Sequence, residues 1–70
     1  MRLTIQLDMS TTAFESAPFR EAARVLRALA SQVADGPSLK AEAGDGWIIL
    51  DYNGVTVGHA LLEGYGRLPF

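Results

Sequence analysis

His59 is the sole imidazole in this sequence and there is no cysteine, so any nucleophile and base pair would have to be built around that one residue. Ser10, Thr11 and Thr12 cluster, but no glycine-framed nucleophile accompanies them, and such residues ordinarily make turns and caps. His59 falls within a run of strand character, where a histidine bonded to backbone is the simpler reading. One His and scattered carboxylates match no metal-ligand spacing, and Asp45 between two glycines reads as a turn residue. A carboxylate pair would need distant positions such as Asp8 and Asp51, and no Gly-rich pattern introduces a helix as a phosphate loop does. The expectation is therefore no catalytic residue, no metal, no cofactor and no enzymatic activity.

One charged feature has helical geometry. Arg20, Arg24 and Arg27, at spacings of four and three, share a ridge with Ser31 and could meet phosphates. Residues 18–34 carry these three arginines against Glu21, a local +2, whereas residues 35–70 set Lys40 and Arg67 against Asp35, Glu42, Asp45, Asp51 and Glu63, a local −3. With a net charge of −2 there is no whole-molecule attraction to nucleic acid, and a solvated helix face is the plainer account of the ridge.

The elements that would position these groups are marked by periodicity. Leu3, Ile5, Leu7 and Met9 alternate with Arg2, Thr4, Gln6 and Asp8, which predicts a half-buried strand over 2–9. Ser10 to Ala17 is a polar connection with Phe14 folding back as a core cap. Pro18 suits a first helical turn with Ser16 as cap, and Phe19, Ala22, Ala23, Leu26, Leu29, Ala30 and Val33 form an apolar stripe. Asp35-Gly36-Pro37 ends that helix. Trp47–Tyr52 and Val55–Leu62 flank Asn53-Gly54, the signal of a two-residue type I′ hairpin that would pair Tyr52 with Val55, Leu50 with Val57, Ile48 with His59 and Asp51 with Thr56. Residues 39–43 would add a short edge strand. The order predicts one α+β domain over 1–70: a single helix on one face of a three- to four-stranded, mainly antiparallel sheet, β-α-β-β plus that extra strand.

Seventy residues make a small core, about 60% of the unfolded chain's surface, with no disulfide to support it. The face of Ile48, Leu50, Tyr52, Val55, Val57, His59 and Leu61 is expected to meet the helix. Trp47, Ile49 and Leu62 would then lie bare on the other face with Asp51, Thr56, Gly58 and Ala60. Such a patch marks an interaction surface unless the tail within 63–70, with Tyr65, Leu68 and Phe70, covers it. Left open, it suggests a homodimer through the sheet face or edge. The first nine residues lack the apolar run of a secretory signal, and no stretch approaches the length that spans a bilayer, so a cytoplasmic protein is expected.

Leu3-Thr4-Ile5-Gln6-Leu7-Asp8, Ala13-Phe14-Glu15, Pro18, Glu21-Ala22-Ala23-Arg24-Val25-Leu26-Arg27, Asp51-Tyr52-Asn53-Gly54 and Val57-Gly58 together resemble a group of small proteins encoded by phages and prophages. The resemblance omits 37–46 and everything after Leu62. It implies a non-enzymatic protein-binding module, and in size and character the chain is similar to anti-CRISPR inhibitors, whose partner would be a host effector complex. On that expectation Asp45, Asp51 and Glu63 would face a basic surface, with Trp47 as anchor beside Ile49 and Leu62. The alternatives are a nucleic-acid accessory protein using Arg20, Arg24 and Arg27, and a homodimeric assembly subunit.

Overall fold

The computed structural model describes residues 1–41 and 44–64. Strand β1 (Arg2–Leu7) leads through a 3₁₀ turn (Thr12–Phe14) into helix α1 (Pro18–Ala34), followed by strands β2 (Leu39–Ala41), β3 (Gly44–Leu50) and β4 (Thr56–Glu63). The sheet has the order β1-β4-β3-β2 with every pairing antiparallel, so the first and last strands in sequence are neighbours. This is the α+β architecture expected, one helix on a four-stranded antiparallel sheet. The short strand anticipated at 39–43 is present over 39–41, while its positions 42–43 and the anticipated back-folding of the tail after Gly64 lie outside the described residues.

Helix α1 begins at Pro18, whose missing N–H needs no partner there, but the residue before it is Ala17 and no side chain caps the end. Ser16 does not serve as the cap. At the other end Gly36 takes φ 90°, and its N–H returns to the Val33 carbonyl at 3.1 Å, the left-handed stop that glycine permits.

The helix lies on the opposite side of the hairpin from the one alternation suggested. Trp47, Ile49, Val57 and Ala60 are buried with Ala13, Phe14, Val25 and Leu29, while Ile48, Leu50 and Val55 are exposed. The side is set by β3, where Trp47 and Ile49 face the helix, and two departures from regular pairing add Val57 to it. The hairpin loop has three residues, Tyr52-Asn53-Gly54: Asp51 N–H donates to the Val55 carbonyl at 2.9 Å and Gly54 N–H to the Asp51 carbonyl at 3.0 Å. Gly54 alone within it has positive φ, 81°, whereas a type I′ turn needs two such residues. Leu50 accordingly pairs with Thr56 and not Val57, Asp51 stands opposite Val55, and Val57 is an extra residue in β4 before Gly58 rejoins register opposite Ile49. The expected pair Ile48 and His59 survives because the loop's added residue and the bulge compensate. The bulge also turns Val57 to the helix side along with Ala60 and Leu62, so the core draws on both parities of β4.

Two hydrogen bonds set the helix along β3. Trp47 Nε1 donates to the Gly36 carbonyl at 3.1 Å, which satisfies the indole within the core at the helix C-terminus. Tyr52 N–H donates to Glu21 Oε2 at 2.9 Å near the helix start. The helix therefore runs antiparallel to β3, pinned at both ends, and covers β3 and β4 more fully than β1. Leu3 and Ile5, on the same side of the sheet as Leu62 and Ala60, remain 41% and 44% exposed.

Candidate protein-binding surface

The acidic residues nearest the helix start serve the fold. Glu21 is buried on α1, and Arg24 Nε and Nη2 donate to its Oε1 and Oε2 at 2.7 and 2.9 Å. Asp51 is buried at the end of β3: its Oδ1 accepts from Asn53 and Val55 N–H at 2.9 and 3.0 Å, and its Oδ2 from Thr11 Oγ1 at 2.8 Å. The Arg24 guanidinium holds Glu21 below the usual carboxylate range, with the Tyr52 N–H assisting against the upward push of burial. Burial also pushes the Asp51 carboxyl up, but the Thr11 hydroxyl and the N–H groups of Val55 and Asn53 outweigh it and the net shift is downward. Both carboxylates are thus engaged by donors of the chain itself. Their chemistry is to latch the hairpin tip and the 10–14 connection onto the first turn of α1.

The latch and the core together redistribute the expected site residues. Arg24 is occupied by Glu21, so only Arg20 and Arg27 of the arginine ridge stand free of ion pairs among the described residues. Trp47, Ile49 and Asp51 are interior groups and present no side chain to a partner. Asp45 and Leu62 are half-buried opposite one another on the helix side, whereas Glu63 is exposed opposite Arg2 on the other side; the acidic residues do not form one patch. His59 is half-buried on the side away from the helix, between Gln6 and Ile48 in register.

An uncovered apolar surface does exist, made of other residues. Ile48 and Leu50 are exposed on the side of β3 away from the helix, Leu50 by 50%, and at the hairpin end Tyr52 is 66% exposed and Val55, opposite Asp51, is exposed as well. Strand β2 pairs with β3 only as far as Gly46, so β3 from Ile48 onward is an open edge among the described residues. Gly46 directs its carbonyl toward that edge, to Ser38 N–H, and Asp51 directs its N–H the opposite way, to Val55. The alternation of a strand then leaves the N–H and C=O of Ile48 and Leu50 pointing outward. Beside them, a groove of about 310 Å³ lies between β3 and the helix flank of Arg24, Ala28 and Gln32. Sequence reading missed this surface because it chose the wrong side for the helix; the residues themselves were in view as the more apolar parity.

The arrangement defines a small α+β scaffold with an apolar hairpin face and an open strand edge. No family model, curated protein or solved structure matches the chain. No described helix is long and apolar enough to cross a membrane.

Proposed function

We propose that this chain is a non-enzymatic protein-binding module of phage or mobile-element origin that engages its partner through the hairpin. The observation that carries the reading is the exposure of Ile48 and Leu50 on the side of β3 away from the helix, with Tyr52 exposed at the hairpin end, beside an edge of β3 left open among the described residues. Apolar side chains supply area there, and the outward N–H and C=O groups of Ile48 and Leu50 can add an extended segment of the partner to the sheet. The engagement of Glu21 and Asp51 in the latch supports binding over acid–base chemistry. The resemblance to phage proteins supports a host protein as partner, and an anti-CRISPR inhibitor of an effector complex is the particular form we favour. The acidic balance of residues 35–70 supports a basic site on that effector, although Asp51 contributes nothing to it from the interior.

The test is plaquing efficiency of a targeted phage on CRISPR-active hosts expressing the chain, together with crosslinked pull-down from the same cells. The wild type should raise plaquing and retain an effector subunit. Leu50→Asp, folded by circular dichroism, should lose at least roughly tenfold of both, as expected when a hot-spot contact is removed. Retention of a different host protein, lost in Leu50→Asp, would keep the binding module and remove the anti-CRISPR form. Equal behaviour of wild type and Leu50→Asp would remove the hairpin as the binding surface.

A further inference from the structure

The opposite edge of the sheet is a full strand with nothing described beside it. Strand β1 pairs with β4 on one side only, and between Leu3 and Leu7 it carries neither proline nor charge, the usual devices that keep an edge from pairing. Its free hydrogen-bonding groups can be assigned. Asp8 N–H donates to the Val57 carbonyl, in step with the register that sets Gln6 opposite His59 and Thr4 opposite Leu61. Even-numbered residues therefore direct their backbone groups to β4, and Leu3, Ile5 and Leu7 direct theirs outward.

The sequence of this edge is complementary to its own reverse. Laid antiparallel on a second copy about a two-fold axis at Ile5, the segment Arg2-Leu3-Thr4-Ile5-Gln6-Leu7-Asp8 sets Ile5 against Ile5, Leu3 against Leu7, Thr4 against Gln6 and Arg2 against Asp8. Every pair matches in character, and both end pairs unite opposite charges. The hydrogen-bonding parity agrees as well: the odd residues with outward groups become the hydrogen-bonded pairs, and Arg2 and Asp8 fall at non-hydrogen-bonded positions, where side chains approach most closely. A slip by one residue would place apolar against polar side chains and break the charge pairs.

We infer that the protein forms a symmetric homodimer in which β1 pairs antiparallel with β1 of a second copy, centred on Ile5 and closed at each end by Arg2 and Asp8. The sheet becomes eight-stranded, and both helices lie on its same side. The exposed Leu3 and Ile5 of the two copies join in one apolar row. The hairpins stand at the two far ends, so each dimer presents two copies of the surface proposed to bind the partner.

Sedimentation equilibrium on the full chain tests this. The wild type should run at twice its 7.5 kDa mass. Ile5→Pro removes only an outward N–H and should give a folded monomer. Asp8→Arg sets like charges opposite each other at both ends and should raise the dimer dissociation constant roughly tenfold, the scale of two cross-strand pairs. The double variant Arg2→Asp/Asp8→Arg should restore association, and it decides the matter if Ile5→Pro fails to fold. A wild type that stays monomeric at millimolar concentration, or a dimer that the charge reversal leaves unchanged, overturns the inference.

Discussion

Asp51 accepts three hydrogen bonds from an interior position, and the donors come from two separate segments, the hairpin loop and the 10–14 connection. Removing the carboxylate leaves two N–H groups and a hydroxyl without their acceptor, which costs more than the bonds themselves contributed. Asp51→Ala should lower Tm by roughly 10 °C, given the sensitivity of domains this small. Asp51→Asn keeps one oxygen for the Asn53 and Val55 N–H groups and can still meet Thr11, so its loss should be less than half as large. Thermal unfolding followed by circular dichroism checks the order wild type, Asn, Ala. Gly58 poses a different constraint: a Cβ there would stand 2.0 Å from the Gln6 carbonyl oxygen, in backbone that cannot give way cheaply. Gly58→Ala should therefore cost about 3 kcal/mol in urea unfolding, in the range of strained or overpacked sites.

The hairpin shows which information a strand pattern holds and which it lacks. Its existence and both strands follow from the β-branched and aromatic runs around Asn53-Gly54, and the pairing of Ile48 with His59 is legible. The loop type is not, because the Asp51 side chain captures the N–H groups of Asn53 and Val55 and so favours a loop with one left-handed residue. Strict alternation also fails across the bulge at Val57, and alternation within β3 does not by itself choose which of its two apolar sides meets the helix. On α1 the apolar stripe was legible, yet burial centres on Glu21, Val25 and Leu29, one flank of it, while Phe19 stays 84% exposed. Glu21 could not be placed inside from composition, since its burial depends on Arg24 and on the Tyr52 N–H arriving from another element. Gly54 separates conformation from packing at the turn: a Cβ there meets nothing within 4 Å, but φ is 81°. Gly54→Ala should cost about 1 kcal/mol and Gly54→Asn distinctly less, measured by the same urea titration. Equal losses for Gly54→Ala and Gly58→Ala would contradict the division between a conformational and a steric requirement.

At the scale of the whole molecule, stability rests on a small apolar core and on the latch that ties helix, hairpin and 3₁₀ turn together, without a disulfide. The latch makes folding depend on pH with a definite sign. Glu21 and Asp51 both titrate below their ordinary values of 4.5 and 3.8 in the folded chain, so the unfolded chain binds protons first as the solution is acidified. The stabilisation is complete above about pH 5 and is lost as pH falls through the lowered folded values, because protonation of the native carboxyls weakens the acceptors for Arg24, Tyr52, Thr11, Asn53 and Val55. Urea midpoints should accordingly change little on account of these two groups between pH 7 and pH 5, and decline steeply from about pH 4.5 downward. Asp51→Asn, which cannot titrate, should start lower at pH 7 and decline less on acidification, so that the two curves converge. A wild-type curve that ran parallel to that of Asp51→Asn into the acid range would mean that the Asp51 carboxylate does not carry the coupling.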